Sequence, residues 1–419
     1  MPSESEFVYK AGTLTLPSSM KRRDLVATLL CAPWLADTAC AAASDWMQHF
    51  GYPSGWGPGR DWTDKARRIG NYSGGFEKMF PTHSIATSAP VSPLRVELRD
   101  PPQFTSGTGT TTSFNAFLET WPTTGLLIAR KGTILFERYQ FDRTPEMRMT
   151  SWSMAKSVTS LLLGICIDRG LVRSLDDTSD LYVPELKGTL HGGITLRNLS
   201  NMSSGAAILH DRDNTWLYPK MLTGRSADCE AAVREWTAVG EPPGTRFNYN
   251  ELCPLTIGMV IRKVSGGTLA QFCQEALWRP LAAEADASWF CDSKEKEFNC
   301  IGFGARLRDW ARLGQMLAQN GAMQGRQIVS EAWVRECTTW SDKDAQVRHG
   351  VGMRGMGYKC FFWHPKADGS WMMMNGHHGQ RVLVDRVTQT VLVHTAVEGD
   401  APWQQELFRL FAAATRMDA

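Results

Sequence analysis

Ser153 stands three residues before Lys156 in the stretch Thr150-Ser151-Trp152-Ser153-Met154-Ala155-Lys156-Ser157. On a helix this spacing puts a hydroxyl and an amine on one face, with Cβ atoms about 5–6 Å apart, so a nucleophile sits beside a base. The same spacing recurs at Ser18/Lys21 and at Ser293/Lys296, so spacing alone selects nothing. Context does: only Ser153 opens a long apolar helical run, through Val158, Leu161, Leu162, Leu163 and Ile165. Such a helix buries its body while its N-terminal serine faces a cleft. The competing reading is a surface serine and lysine on an ordinary helix.

A serine nucleophile needs a base, a proton relay and an oxyanion site. An unperturbed lysine, with a pKa of about 10.4, is protonated at neutral pH, and becomes a base only if burial or a nearby positive charge depresses it. A tyrosine shares that difficulty, and a Lys/Tyr pair eases it, because the cation favours the phenolate. Tyr249, in Phe247-Asn248-Tyr249-Asn250-Glu251 just before a helical pattern, is the candidate relay; its competing reading is an amphipathic residue at a surface rim. The third piece is Asn375-Gly376-His377-His378-Gly379-Gln380, before the apolar strand Val382-Leu383-Val384. Gly379 permits close backbone approach, and the Gln380 amide on an exposed strand edge would be one oxyanion donor. The Ser153 amide at its helix start would be the other. Adjacent histidines in a strand point to opposite faces, and no HExxH or carboxylate-rich partner accompanies His377 and His378, so no metal is expected.

The elements that position these residues follow from periodicity. Two apolar runs flanking Lys131-Gly132 predict a β-hairpin, and Gly170 predicts the end of the Ser153 helix. Helical patterns follow near 194–199, 226–239, 252–265 and 268–279, then an amphipathic one over 306–319 closed by Asn320-Gly321. From 356 the pattern turns β, over 356–363, 370–375, 380–385 and 390–396, before a closing helix over 403–417. The order β, helical, β predicts an α+β fold whose sheet is completed by both ends of the chain. The expected division is an export leader or N-terminal helix over 1–43, an irregular Gly/Pro/Trp-rich arm over 44–122, an α/β part over 123–170 and 296–419, and a mainly helical part over 171–295.

With 43% hydrophobic and 21% charged residues, a net charge of +2 and a pI near 8.0, the 419-residue chain reads as globular with no electrostatic case for nucleic acid. No apolar run reaches the roughly 20 residues of a membrane span. Met20-Lys21-Arg22-Arg23, an apolar stretch to Ala36 and the small residues after it fit an export signal, although Pro33 interrupts it. A periplasmic or secreted location is the expectation, with the cytoplasm as the alternative. The scattered cysteines show no CxxC pair, which argues against zinc or a redox dithiol.

Taken together and in this order, Ser153-Met154-Ala155-Lys156, Phe247-Asn248-Tyr249 and His377-His378-Gly379-Gln380 resemble the serine hydrolases related to class C β-lactamases. Within that group they look most like the carboxylesterases and the 6-aminohexanoate-dimer (nylon oligomer) hydrolases. The resemblance implies a β-lactamase/penicillin-binding-protein-like fold, an antiparallel sheet flanked by helices plus a mainly helical domain, with the active site between them and no cofactor. It implies that Ser153 is acylated, that Lys156 is the adjacent base, that Tyr249 relays the proton and that the amides of Ser153 and Gln380 form the oxyanion hole.

Two departures narrow the substrate. Penicillin-active relatives usually carry Lys-Thr-Gly where this chain has His377-His378-Gly379, and their tyrosine motif usually has asparagine where Glu251 stands. Both turn the reading from β-lactams towards a small ester or amide. In the esterase and nylon-oligomer branch a loop covers the substrate, which makes Trp216 and Tyr218 candidate lid residues; His377, His378, Gly379, Glu251 and Asn299 complete the expected substrate-binding set. The alternatives are a β-lactamase or D-amino-acid peptidase and, in another class, a penicillin-binding-like sensor without turnover.

Overall fold

The computed structural model describes residues 77, 80–88, 91–121, 123–140, 143–208, 228–351, 355–396 and 403–418. Of the sixteen strands among the described residues, twelve build the two larger sheets: β1 Thr82–Ile85, β2 Arg95–Val96, β3 Thr123–Arg130, β4 Thr133–Tyr139, β5 Arg148–Thr150, β6 Ala287–Phe290, β7 Phe303–Arg306, β8 Gly357–Lys359, β9 Phe362–His364, β10 Trp371–Gly376, β11 Gln380–Asp385 and β12 Thr390–Ala396. The larger sheet has eight strands in the order β8-β9-β10-β11-β12-β3-β4-β2. The last strand of the chain's C-terminal half, β12, pairs antiparallel with β3, Leu392 opposite Ile128, so both ends of the chain complete one sheet.

The centre of this sheet is apolar on both faces. Val382, Leu383 and Val384 of β11 and Val391, Leu392 and Val393 of β12 are all fully buried, each contributing about 1.5–3 kcal/mol of apolar burial. Continuous apolar strands of this kind need cover on two sides. Helix α3, Leu307–Ala318, lies over β12, β11 and β3. It approaches so closely that a Cβ on Gly314 would stand 2.5 Å from Val391 Cγ1. Helix α1, Met154–Asp168, is buried from Met154 to Cys166 and packs against β10 and against helix α2, Leu252–Ser265. Helix α4, Trp403–Ala414, closes the chain, with Phe411 ring-to-ring at 4.7 Å from Trp371 of β10.

The second sheet is short, four strands in the order β1-β6-β7-β5. It matters because β5 runs straight into α1, so the position of Ser153 is set by the pairing of β5 with β7, Thr150 opposite Gly304. The expected irregular arm therefore contains structure: Thr82–Ile85 joins the second sheet, Arg95–Val96 edges the first, and Ser113 caps a helix over Phe114–Thr120. Strands of two to four residues carry too little periodicity to read from sequence. The strand expected over 356–363 is instead two, β8 and β9, reversing at Cys360 and Phe361, whose φ values of 47° and 64° are those of a tight hairpin turn. Residues 1–43 lie outside the described residues.

Candidate active site

Ser153 is delivered by a constrained turn. The Ser151 N–H donates to Phe303 O (2.9 Å), and its hydroxyl accepts from Phe303 N–H (3.0 Å) while reaching the carbonyls of Trp152 (2.8 Å) and Ile301 (3.1 Å). Trp152 follows at φ 43°. A bulky residue in the left-handed region costs on the order of 1–3 kcal/mol, so its surroundings must hold it. Its buried ring lies edge-on to His377 (5.7 Å) and His378 (6.1 Å). The chain then enters α1, Met154 N–H donating to Ser151 O and Lys156 N–H to Ser153 O, both at 3.1 Å. The Ser153 hydroxyl makes no cap hydrogen bond, which leaves it to the site.

Lys156 is 1% exposed, donates to Ser153 Oγ at 2.8 Å and to the Cys300 carbonyl at 3.0 Å, and is ion-paired with Glu251 Oε2 at 2.5 Å. Burial pushes its pKa down, but the Glu251 carboxylate, with smaller contributions from Tyr249 and Cys300, outweighs burial and holds the group above the ordinary lysine range. At rest Lys156 is thus an ammonium donor to Ser153, not the neutral amine that a base requires. Glu251, expected among the substrate-binding residues, is itself 1% exposed and engaged with Lys156. It stands at the N-cap position of α2, and the turn before that helix aims it inward.

Tyr249 sits in the same turn, with its phenol beside Ser153 and Lys156. Its ring centroid is 4.9 Å from Lys156 Nζ. Burial raises its pKa most, the Lys156 cation opposes that, and Glu251 reinforces it, so the phenol is neutral at rest. Asn250 fixes the turn: its Nδ2 donates to Asn248 O (2.9 Å) and its Oδ1 accepts from Cys253 N–H (3.1 Å). Phe247, Tyr358 and Trp363 form an aromatic wall about Tyr249, with Trp363 at 5.9 Å and Tyr358 edge-on at 6.2 Å. Neither Tyr358 nor Trp363 was marked by any spacing in the sequence.

The third motif is placed differently from expectation. His377 to Gln380 form a tight reversal between β10 and β11, with His378 at φ 51°, ψ 37° and Gly379 at φ 88°. Two consecutive left-handed residues make a primed hairpin turn, closed by the Gln380 N–H donating to His377 O. The Gln380 amide, expected in the oxyanion hole, is therefore engaged within the turn, and Gln380 begins an interior strand rather than an exposed edge. Its side-chain Nε2 braces the same turn, donating to His378 O (2.8 Å) and Ala396 O (2.7 Å), and His394 Nδ1 lies 2.7 Å from Gly379 O. Because the histidines are in a turn, their rings do not diverge to opposite faces but lie 3.7 Å apart against Trp152. Just before them Gly376 meets the nucleophile turn, where a Cβ would stand 2.2 Å from Ser151 O.

Asn299 does not reach the cleft. It is fully buried between α1 and α2, its Nδ2 donating to the Pro254 carbonyl and its own carbonyl accepting from Thr159 Oγ1 at 2.9 Å. Gly258 makes room for it, since a Cβ there would stand 2.6 Å from Asn299 Oδ1. One residue further on, the Cys300 carbonyl is the group that meets Lys156. Trp216 and Tyr218 lie outside the described residues.

Among the described residues no helix is long and apolar enough to cross a membrane. The profile of the Beta-lactamase family matches residues 114–396, which spans α1, Tyr249 and the His377–Gln380 turn. The chain is 25% identical over 291 residues to a 6-aminohexanoate-dimer hydrolase of Paenarthrobacter ureafaciens, covering 66% of this chain and 73% of that protein. Among solved structures, one described as a 6-aminohexanoate-dimer hydrolase from Bacillus anthracis superposes with a TM-score of 0.74 at 20% identity, over 84% of this chain and 94% of that one. A family VIII carboxylesterase superposes at 0.54 and 17% identity, over 72% and 95%. The fold is that of the β-lactamases and penicillin-binding proteins, and the chain belongs to the beta-lactamase family of hydrolases.

Proposed function

We propose that the protein is a cofactor-free serine hydrolase that cleaves a small ester or amide through an acyl-enzyme on Ser153. The observation that carries this reading is the convergence of Lys156 Nζ, 2.8 Å from Ser153 Oγ, with the Tyr249 ring, 4.9 Å from the same Nζ. The Lys156/Tyr249 pair moves the proton from the attacking hydroxyl to the leaving group. The Ser153 amide is one oxyanion donor. The second donor is sought at the end of β10, which Gly376 brings onto the Ser151 backbone, since the Gln380 amide closes the turn.

The ester or amide class is favoured over β-lactams by what flanks the nucleophile. The turn presents His377 and His378 where a fixed lysine cation would greet a β-lactam carboxylate, and Arg381 is turned away, donating to the Gly376 and Gln380 carbonyls. The Phe247/Tyr249/Trp363 wall offers apolar surface to an alkyl or aryl group. A panel of p-nitrophenyl esters, linear aminohexanoate oligomers and nitrocefin, run on the wild type and on Ser153→Ala, tests the reading. Turnover of esters or oligomers, lost in Ser153→Ala and exceeding that of nitrocefin, is the expected result; nitrocefin as the preferred substrate would overturn the substrate class.

A further inference from the structure

Lys156 Nζ lies 2.8 Å from Ser153 Oγ, 3.0 Å from Cys300 O and 2.5 Å from Glu251 Oε2, with the Tyr249 phenol beside it, and as an ammonium it has no lone pair with which to receive the serine proton. It becomes a base only by releasing one proton. Of these neighbours, a carbonyl cannot keep a proton, the neutral Tyr249 phenol cannot take one and the serine oxygen is the group to be deprotonated. The carboxylate alone can hold it, across a 2.5 Å contact from which water is excluded, both side chains being 1% exposed or less. We propose that Glu251 is the proton reservoir behind Lys156: as Ser153 attacks, Lys156 takes the hydroxyl proton and passes one of its own to the Glu251 carboxylate.

The step balances. Ser153 Oγ bonds to the carbonyl carbon, its proton resides on Lys156, a Lys156 proton resides on Glu251, and the carbonyl oxygen carries the charge. On collapse the carbon–heteroatom bond breaks, Tyr249 protonates the departing oxygen or nitrogen, Lys156 reprotonates Tyr249, and Glu251 returns its proton to Lys156. Attack by water retraces the same path. Glu251 touches no substrate atom and acts through Lys156, so it is a positioning residue for the nucleophile's proton.

The groups that face this pair from the surrounding elements do not compete for the charge. Tyr249 and Cys253 on the α2 side, Cys300 from the segment before β7 and Tyr358 from β8 all have their pKa values pushed up by burial, Cys253 to about 12, and remain neutral. In a site of low polarity an ion pair and its neutral amine/acid counterpart lie closer in energy than in water, which is what a proton shuttle requires.

This inference rests on the acyl-enzyme reading, and the test separates the two. The rate of Ser153 labelling by a fluorophosphonate and kcat/KM for p-nitrophenyl acetate are measured from about pH 5 to pH 10. Glu251→Gln cannot accept the proton, so Lys156 must first lose one to solvent. The acid limb should move to higher pH, with a roughly hundredfold loss near pH 6 that is recovered as pH rises. Glu251→Asp keeps the carboxylate and should keep the wild-type limb. Glu251→Asn, smaller but also neutral, is read in the same way, with circular dichroism reporting on the fold of each variant. Neutral variants whose pH profile matches the wild type, whatever their absolute rate, would overturn the role of Glu251 alone. A wild type that takes no label on Ser153 would overturn the acyl-enzyme reading and this inference with it.

Discussion

Among the described residues two buried lysine–carboxylate pairs look alike until their other partners are compared. Lys156, on α1, meets Glu251 at 2.5 Å; Lys359, on β8, meets Asp344 at 2.7 Å and is 1% exposed. The remaining acceptors of Lys359 are Thr339 O (2.7 Å) and Glu336 Oε1 (2.9 Å), and Asp344 also receives Asn201 Nδ2 at 2.8 Å and the Ser341 hydroxyl at 2.7 Å. Every one of these groups is fixed, and together they tie β8 to the Asp342–Val347 turn and to Asn201. At Lys156 a carboxylate is again the charged partner, but another neighbour is a serine hydroxyl at a helix start, beside a phenol. Burial and ion pairing are thus common to a clamp and to a reaction centre. What distinguishes the second is a partner whose proton can leave.

Substitutions at the two pairs should therefore fail differently. The largest effect is at the nucleophile: Ser153→Ala should abolish turnover and covalent labelling while leaving thermal unfolding close to wild type. Lys156→Ala and Tyr249→Phe should each lower kcat by about 10²–10⁴, and the double variant should lose far less than the product of the two, because they act as a unit. An unchanged rate in Tyr249→Phe would remove it from the relay. At the clamp the effect should be on stability. Hydrogen bonds from Lys359 and Ser341 outweigh burial and hold the Asp344 pKa at about 2, below its ordinary 3.8. A carboxylate with a depressed folded-state pKa contributes stability that is present above the unfolded value and is lost as pH falls towards 2. Asp344→Asn should cost about 2 kcal/mol near neutral pH, with the difference from wild type closing between about pH 4 and pH 2, and the pH profile of kcat/KM unmoved. The smallest effect belongs to Asn299→Ala, which removes buried hydrogen bonds between α1 and α2: about 1–3 kcal/mol of stability, with KM unchanged, measured by denaturant unfolding alongside steady-state kinetics. A raised KM there would return Asn299 to the substrate site.

Much of this was legible in the sequence where a long periodic segment carried the information. The apolar run after Ser153 gave the helix and its buried body, the Lys131-Gly132 hairpin and the 380–396 strands gave the sheet, and Gly170 and Asn320-Gly321 gave helix ends that the structure places in the left-handed region. Legibility failed where a side chain's direction depends on a single turn. Glu251 lies two residues past Tyr249, and nothing in the sequence says that it turns onto Lys156 rather than out into the cleft. The pattern puts Gln380 at the start of an exposed edge, whereas His378 and Gly379 turn left-handed in succession and so use the Gln380 amide to close a turn. Asn299 and Cys300 differ by one position, and only the path of the segment before β7 decides which of them meets Lys156. The strained Trp152 has no sequence signal at all, since its conformation is imposed by β5 pairing and by the rings packed on it.

The central claim, that Ser153 becomes acylated, is tested most directly by mixing the wild-type protein with an excess of p-nitrophenyl ester, quenching in acid during turnover and mapping the protein by mass spectrometry. The account predicts one added acyl mass on the peptide that contains Ser153, disappearing as substrate is exhausted. Ester turnover with the acyl mass on another residue, or with none trapped in wild type and in Tyr249→Phe alike, would contradict it.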